Sequence, residues 1–257
     1  MITKRAARWS KLALLVAGVF GLAATTISPS YAANDTAIYV VQGLPGKALD
    51  VAIDQDPPIV QDVEAAAASG PFAVTPGRHT VTFSQNGENP LKNTFTIKEG
   101  SKVDLVPHLR AVSSSPPEVL LYDKYDGVKL TKDRALFVFS HVAAVSPVDV
   151  RVNNEVRFDN IANERSAQMR MPVGTYTIAI VPTRKTEPVY AGPLTLTVEG
   201  GTIVHLYLAG DDPKTLRVLP QVLAARITGT EMPSEVNTGT GGQAFGHGSL
   251  LELDLTR

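Results

Sequence analysis

Cysteine is absent from all 257 residues. That removes a disulfide framework, a lipid-modified N-terminal cysteine and thiol catalysis in one stroke. The single tryptophan, Trp9, lies within the first 32 residues, so no indole remains beyond them to stack against a sugar. Five histidines are scattered without a His-x-His pair or a His-Glu-x-x-His helix, which leaves no zinc signature. No apolar run reaches membrane-spanning length, and a formal charge of −1 gives no electrostatic reason to coat DNA or an anionic bilayer.

The N-terminus has a three-part build. Lys4, Arg5, Arg8 and Lys11 form a basic region, Leu12–Ala24 is a 13-residue apolar core, and Ser30 and Ala32 occupy the −3 and −1 positions of a cleavage site. This is the pattern of a secretory signal peptide over residues 1–32. Thirteen residues make about 20 Å of helix, short of a ~30 Å hydrocarbon core. Adjacent arginines are missing, so export is expected through the general secretory pathway. Loss of the four leader cations takes the formal charge to −5. An exported chain without disulfides points to a bacterial protein that relies on cores of ordinary size.

Beyond the leader the chain repeats itself. "AIYVVQGL" (37–44) matches "ALFVFSHV" (135–142), "LDVAID" (49–54) matches "VDVRVN" (148–153), and "VTPGRHTVTF" (74–83) matches "MPVGTYTIAI" (171–180). "FTIKEGSKVDL" (95–105) matches "LTVEGGTIVHL" (196–206), and the copies close on "EVLLYD" and "TLRVLP". Offsets of 97–101 in constant order mark a tandem duplication. Each block alternates Val, Ile, Thr or an aromatic with a polar residue, and turn dipeptides such as Pro76-Gly77 separate the blocks. The expected fold is therefore all-β, with two tandem immunoglobulin-like antiparallel β-sandwiches after the signal peptide. Expected boundaries are 34–125 for the first domain, 126–133 for a connector, 134–222 for the second, and 223–257 for a Gly/Thr-rich flexible tail. The alanine run in Val60–Gly70 is the one helical candidate; its counterpart "FDNIANERSAQ" reads as variable loop.

"ALFVFSHVAAVSPVDVRVNN", "MPVGTYTIAIVP" and "LTVEGGTIVHLYLAG" together resemble the bacterial domain of unknown function 4397 family, more closely over Arg134–Leu219 than over Ala37–Tyr122. The family's strand–His–Pro loop–Val-Asp-Val motif is met by His141, Ser146, Pro147 and Val148–Val150, whereas the first copy places Gly43 opposite the histidine. The resemblance implies a secreted or wall-associated β-sandwich and carries no catalytic residues.

Chemistry is thin. His141, at a strand end facing a loop, is the leading binding candidate, although ring nitrogens capping loop backbone would explain it without a ligand. Asp149 and its counterpart Asp50 recur with the repeat, so a structural bond to a strand or loop amide suits them. Asp54 and Asp56 in "DQDPP" could hold a weakly bound hard cation, or form a solvated turn. Ser249 beside His247 lacks a rigid setting for a nucleophile, so no catalytic residues, metal or cofactor are expected. Tyr39, Tyr122, Tyr125, Tyr176, Tyr190 and Tyr207 could take the place of tryptophan at a sugar, yet their strand positions favour packing. The chain reads as an exported, non-enzymatic binding or scaffolding protein, secreted or cell-wall associated. Its partner is expected to be an envelope polymer or protein, with no nucleic acid and no membrane anchor after cleavage. The alternative is an accessory hydrolase of cell-wall metabolism.

Overall fold

The computed structural model describes residues 36–228 apart from 47, 55–56, 66, 86–87, 112–114 and 124–126. The leader, Asp56, Tyr125, His247, Ser249 and most of the expected tail lie outside the described residues. Those that are described form eighteen β-strands.

The first unit comprises β1 (Ala37–Val41), β2 (Leu49–Ile53), β3 (Val60–Val63), β4 (Ala68–Ala73), β5 (Gly77–Gln85), β6 (Glu88–Ile97), β7 (Lys102–His108) and β8 (Glu118–Tyr122). The second repeats that order with β10 (Arg134–His141), β11 (Val148–Val152), β12 (Glu155–Ile161), β13 (Arg165–Pro172), β14 (Gly174–Pro182), β15 (Ala191–Val198), β16 (Thr202–Ala209) and β17 (Arg217–Ala224). Each unit is a sandwich of two four-stranded sheets, ordered β4-β1-β7-β8 over β3-β2-β5-β6, and β13-β10-β16-β17 over β12-β11-β14-β15. Pairing is antiparallel except where β1 meets β7 and β10 meets β16, which run parallel.

Val60–Gly70 is not helical. Val60–Val63 is β3 and Ser69 and Gly70 lie in β4, which pairs with β1. Its counterpart is likewise not a long loop but the end of β12, a turn at residues 162–164 and the start of β13, which crosses from one sheet to the other. Edge positions on two sheets override the helix propensity of an alanine run, as tertiary pairing commonly does.

The outer sheets alternate. Strand β5 buries His79, Val81 and Phe83 while Thr80 and Thr82 point outward, and its equivalent β14 buries Ile178 and Ile180. The inner strands do not alternate: β1, β7, β10 and β16 are buried along almost their whole length. Ile38, Val40, Val103 and Leu105 fill the first core; Phe137, Phe139, Val204 and Leu206 fill the second. The opposite faces of the same strands form two further clusters that join the units. Val41, Val106 and Tyr122 pack with Val142, Tyr207 and Leu219, and Tyr39 packs with Leu136 and Val138. The two inner sheets thus lie face to face, and the sandwiches form one body.

The connector contributes to the seam as well. It carries β9 (Lys129–Leu130), and the chain beyond β17 returns as β18 (Arg226–Ile227) to pair with it in parallel. Leu130 is buried with Leu136, Ile203 and Leu223.

Register fixes which residues are true equivalents. Tyr39 lies opposite Asp104 on β1/β7, and Val138 lies opposite His205 on β10/β16. With Asp104 and His205 equivalent, Tyr39 corresponds to Val138, an offset of 99 rather than the 98 read for this block. A one-residue slip exchanges the two faces of a strand, and only the offset of 99 places core residue on core residue. The closing strands shift too: Tyr122 opposes Asp104 and Gln221 opposes His205, so Tyr122 corresponds to Gln221.

With these equivalences, like meets like across the seam. Gly43 corresponds to Val142: the Gly43 amide donates to Pro107 O at 3.1 Å, and the Val142 amide to Leu208 O at 2.9 Å. A Cβ added at Gly43 would sit 2.9 Å from Pro107 O and 3.5 Å from the Val142 side chain. The first unit therefore needs glycine here because its own Pro107 carbonyl lies too close for a side chain, while Val142 of the second unit stands at ordinary contact distance. Gly43→Val is expected to lower stability by about 1–3 kcal/mol through overpacking, read as a drop in the guanidinium midpoint. An unchanged midpoint would contradict the close approach of the Pro107 carbonyl to Gly43.

Candidate functional site

A polar cluster sits inside the apolar seam. Asp104 of the first unit is fully buried, as are Ser140, His205 and Tyr207 of the second. The Tyr207 hydroxyl donates to Asp104 Oδ2, and Gln221 Nε2 donates to Asp104 Oδ1 at 2.9 Å. His205 Nδ1 lies 3.7 Å from Asp104 Oδ2, and its Nε2 is 2.7 Å from Ser140 Oγ. The Tyr207 ring stacks on His205 at 3.8 Å, and Tyr122 meets His205 edge-on at 5.8 Å. The pattern is reciprocal: Gln221 crosses the seam to Asp104, and its equivalent Tyr122 crosses to His205. Burial drives the Tyr122 hydroxyl up to about 12, so it stays a neutral phenol.

Ser140, His205 and Asp104 line up in the order of a hydrolytic triad. The arrangement fails the geometric requirements. The imidazole–carboxylate separation exceeds hydrogen-bond reach, and none of the three side chains meets solvent. The cluster is a welded joint: a buried carboxylate is tolerable because donors satisfy it.

His141 is also fully buried. Its Nδ1 accepts the Ala143 amide at 3.3 Å and its Nε2 donates to Ser146 O at 3.3 Å. Burial pushes its pKa down to about 4. Its equivalent is Gln42, not Gly43, and Gln42 Oε1 accepts the Leu44 amide at 3.0 Å, the same bond to the second residue on.

The aspartates recur with equal regularity. Asp149 Oδ1 accepts the Asn160 amide at 2.8 Å and Oδ2 the Arg184 amide at 2.8 Å. Asp50 Oδ1 accepts the Asp62 amide at 3.1 Å. Asn160 and Asp62 both have positive φ, 52° and 53°. Each aspartate therefore holds a left-handed residue at an irregularity in the neighbouring strand. Asp54 Oδ1 accepts the Thr80 amide and Asn153 Oδ1 accepts the Thr177 amide, both at 2.9 Å. Asp54 Oδ2 also meets His79 Nδ1 at 3.0 Å, and these bonds lower the Asp54 pKa and raise that of His79. Among the described residues, no group of three His, Asp or Glu side chains converges on one point as a metal site would require.

The accessible chemistry lies where the seam opens at the end of β10. A cleft of about 610 Å³ is bounded by the loop after His141 (Ala144–Pro147), the β12–β13 turn (Ala162–Glu164), and Arg110 and Ser115 from the first unit. Asn163 ties the units together: Oδ1 accepts the Ala111 amide at 3.0 Å, and Nδ2 donates to Leu109 O at 3.3 Å and Ala143 O at 2.8 Å. Arg110 Nη1 faces Glu118 and its Nε faces Glu164, each at 3.4 Å. Asp211 and Tyr190 complete the wall. The pseudo-equivalent cleft, about 430 Å³, is bounded by the Gly43–Gly46 loop and by Asp211, Thr215 and Arg217. Of the sequence candidates, only Tyr190 and the loop of His141 reach the larger cleft. Arg110, Asn163 and Glu164 carried no motif, because they converge from different copies; only their places after β7 and in the β12–β13 turn could have pointed to them.

A family model described as a domain of unknown function (DUF4397) matches residues 36–151, so the chain resembles that family over the whole first unit and β10–β11 of the second. The motifs quoted from the sequence lie mainly in the second copy. No curated protein matches the chain.

Two measurements probe these joints. Asp104→Ala is expected to cost about 3–5 kcal/mol, because it strands buried partners, and Tyr207→Phe about 1–3 kcal/mol. The double variant should cost less than the sum of the two in denaturant titrations, and strict additivity would refute a shared network. His141 binds its proton far more weakly folded than unfolded, so the unfolded chain takes up protons first as pH falls below about 6.5. Stability should decline from there towards pH 4, by about 3 kcal/mol from this group. His141→Gln, which keeps the bond Gln42 makes, should flatten that decline while preserving stability at pH 7.5. An unaltered pH profile would contradict the role given to His141.

Proposed function

We propose that this chain, resembling a family of unknown function, is an exported, non-enzymatic binding or scaffolding protein of the bacterial cell envelope. The observation that carries the reading is a contrast at the seam. Among the described residues, the Ser–His–Asp alignment of Ser140, His205 and Asp104 is sealed between the sandwiches, while an open cleft built from both units lies at the end of the same strands. Sealed polar groups stiffen a scaffold, whereas an open, preorganised cleft suits recognition.

The leader pattern supports export. The hydrolase alternative would need Ser140 and His205 to meet substrate, and their complete burial weighs against it.

Fractionation tests the reading. The mature protein, beginning at Ala33, is expected to sediment with the envelope and to be released by denaturant but not by disulfide reduction. Recovery only as free protein in the medium, with nothing co-purifying, would sink the binding role. Hydrolysis of wall fragments that Ser140→Ala abolishes would favour the hydrolase.

A further inference from the structure

We propose that the larger seam cleft binds a short stretch of neutral saccharide, with Tyr190 as its aromatic wall. This deepens the binding reading and rests on it.

Size and rigidity come first. About 610 Å³ lies in the range of clefts that enclose small polar ligands. Its floor is preset: Asn163 spends its amide on backbone groups of both units, and Glu164 occupies a left-handed turn at φ 67°. Little ordering is then left to the moment of binding.

Charge narrows the class. Arg110 is the cationic side chain of the cleft wall, and it already faces Glu118 and Glu164 at 3.4 Å, with Asp211 on the same wall. A phosphate or sulfate would meet more carboxylates than cations. A mixed set of acceptors (Glu164, Asp211) and hydroxyls (Ser115, Ser146) instead suits a ligand whose groups both donate and accept, which describes sugar hydroxyls.

Shape narrows it further. Apart from Tyr190 the apolar lining is small, Ala111, Ala144, Val145 and Ala162 with two prolines, so a peptide would find few bulky apolar groups to anchor large side chains. Tyr190 is half-buried on the wall, where part of its ring packs against the second core and the remaining face is open to the cleft. The other described tyrosines are engaged: Tyr39, Tyr122 and Tyr207 in the seam, and Tyr176 through its hydroxyl to Pro172 O at 2.9 Å.

The test uses the mature full-length chain, titrated with cellohexaose, maltohexaose and fully N-acetylated chitohexaose by calorimetry and amide NMR. Inorganic phosphate and pentalysine serve as comparison probes. One neutral hexasaccharide is expected to bind and to shift the amides of Asn163, Glu164 and Tyr190. Tyr190→Ala should weaken it about tenfold or more, roughly 1.4 kcal/mol, and Ser146→Trp, which plugs the mouth from an exposed loop position, should abolish it. Ser146→Trp should retain the wild-type unfolding midpoint, and Tyr190→Ala, which also removes packing against the second core, should lower it while the protein stays folded at the temperature of the titration. Binding of none of the three sugars, binding unaffected by both variants, or preferential binding of phosphate or pentalysine would each overturn the proposal. If Tyr190→Ala and Ser146→Trp still sediment with the envelope while no sugar binds, the saccharide assignment falls and the envelope role stands. If sugar binds but the protein never associates with the envelope, the reverse holds.

Discussion

A single buried carboxylate organises this molecule. Asp104 sits where two four-stranded sheets press together, and its oxygens take bonds from Tyr207 and Gln221 of the other unit. A carboxylate without such partners would not tolerate that setting. The unit bearing Asp104 therefore depends on the unit bearing its donors. The position equivalent to Asp104 holds His205, 3.7 Å away. Had both copies kept aspartate, two like charges would face each other near a pseudo-two-fold axis, which strongly disfavours ionisation of both. Divergence to an imidazole in the second copy leaves Asp104 facing no second carboxylate, with its oxygens bonded by Tyr207 and Gln221 instead. The same divergence discriminates against a unit pairing with a copy of itself.

Away from the seam, the copies solve identical backbone problems with different chemistry. Gln42 and His141 each accept the amide two residues on. His79 Nε2 lies 2.8 Å from Thr75 O, and the Tyr176 hydroxyl reaches the equivalent carbonyl of Pro172, in both cases back across a glycine turn. Asp54 and Asn153 hold equivalent amides from left-handed conformations. Where side chains differ but the bond persists, the bond explains the position. Residues that recur in this way are scaffold, so the proposed binding role falls on surfaces that the two copies do not share. The two clefts meet that condition: Arg110 lies in one, and its equivalent Asp211 borders both.

Much of the fold was legible because strand chemistry is local. Alternating Thr and Val or Ile on β5 and β14 named the outer sheets, and turn dipeptides marked their ends. The inner strands were legible in a way that alternation misses: "AIYVV", "LFVF" and "IVHLYLA" are near-continuous apolar runs, the signature of strands buried on both faces. One charged or titratable residue within such a run, Asp104 or His205, is the mark of a buried polar joint. The cleft was not legible. Arg110, Asn163 and Glu164 are unremarkable in sequence and meet only because the seam brings a loop of one copy against a turn of the other. Placing Gly43 opposite His141 also hid Gln42, since a slip of one residue conceals which side chains share a face.

Seam and cleft are mechanically one feature. Asn163 bonds backbone of both units on the rim, and Tyr207 and Gln221 bond Asp104 inside along the same strands. Sliding of one sandwich over the other would break buried hydrogen bonds before it widened the cleft. The cleft is therefore held at nearly constant width, unlike one formed across a flexible linker. The β9–β18 pair, at the start of β10, ties the opposite end of the seam, so hinge motion about the connector is resisted as well. Such a site gains affinity by losing little entropy on binding rather than by closing over its ligand. The proposed binding role draws on that property, since a cleft of fixed width needs little ordering of the protein when a ligand arrives.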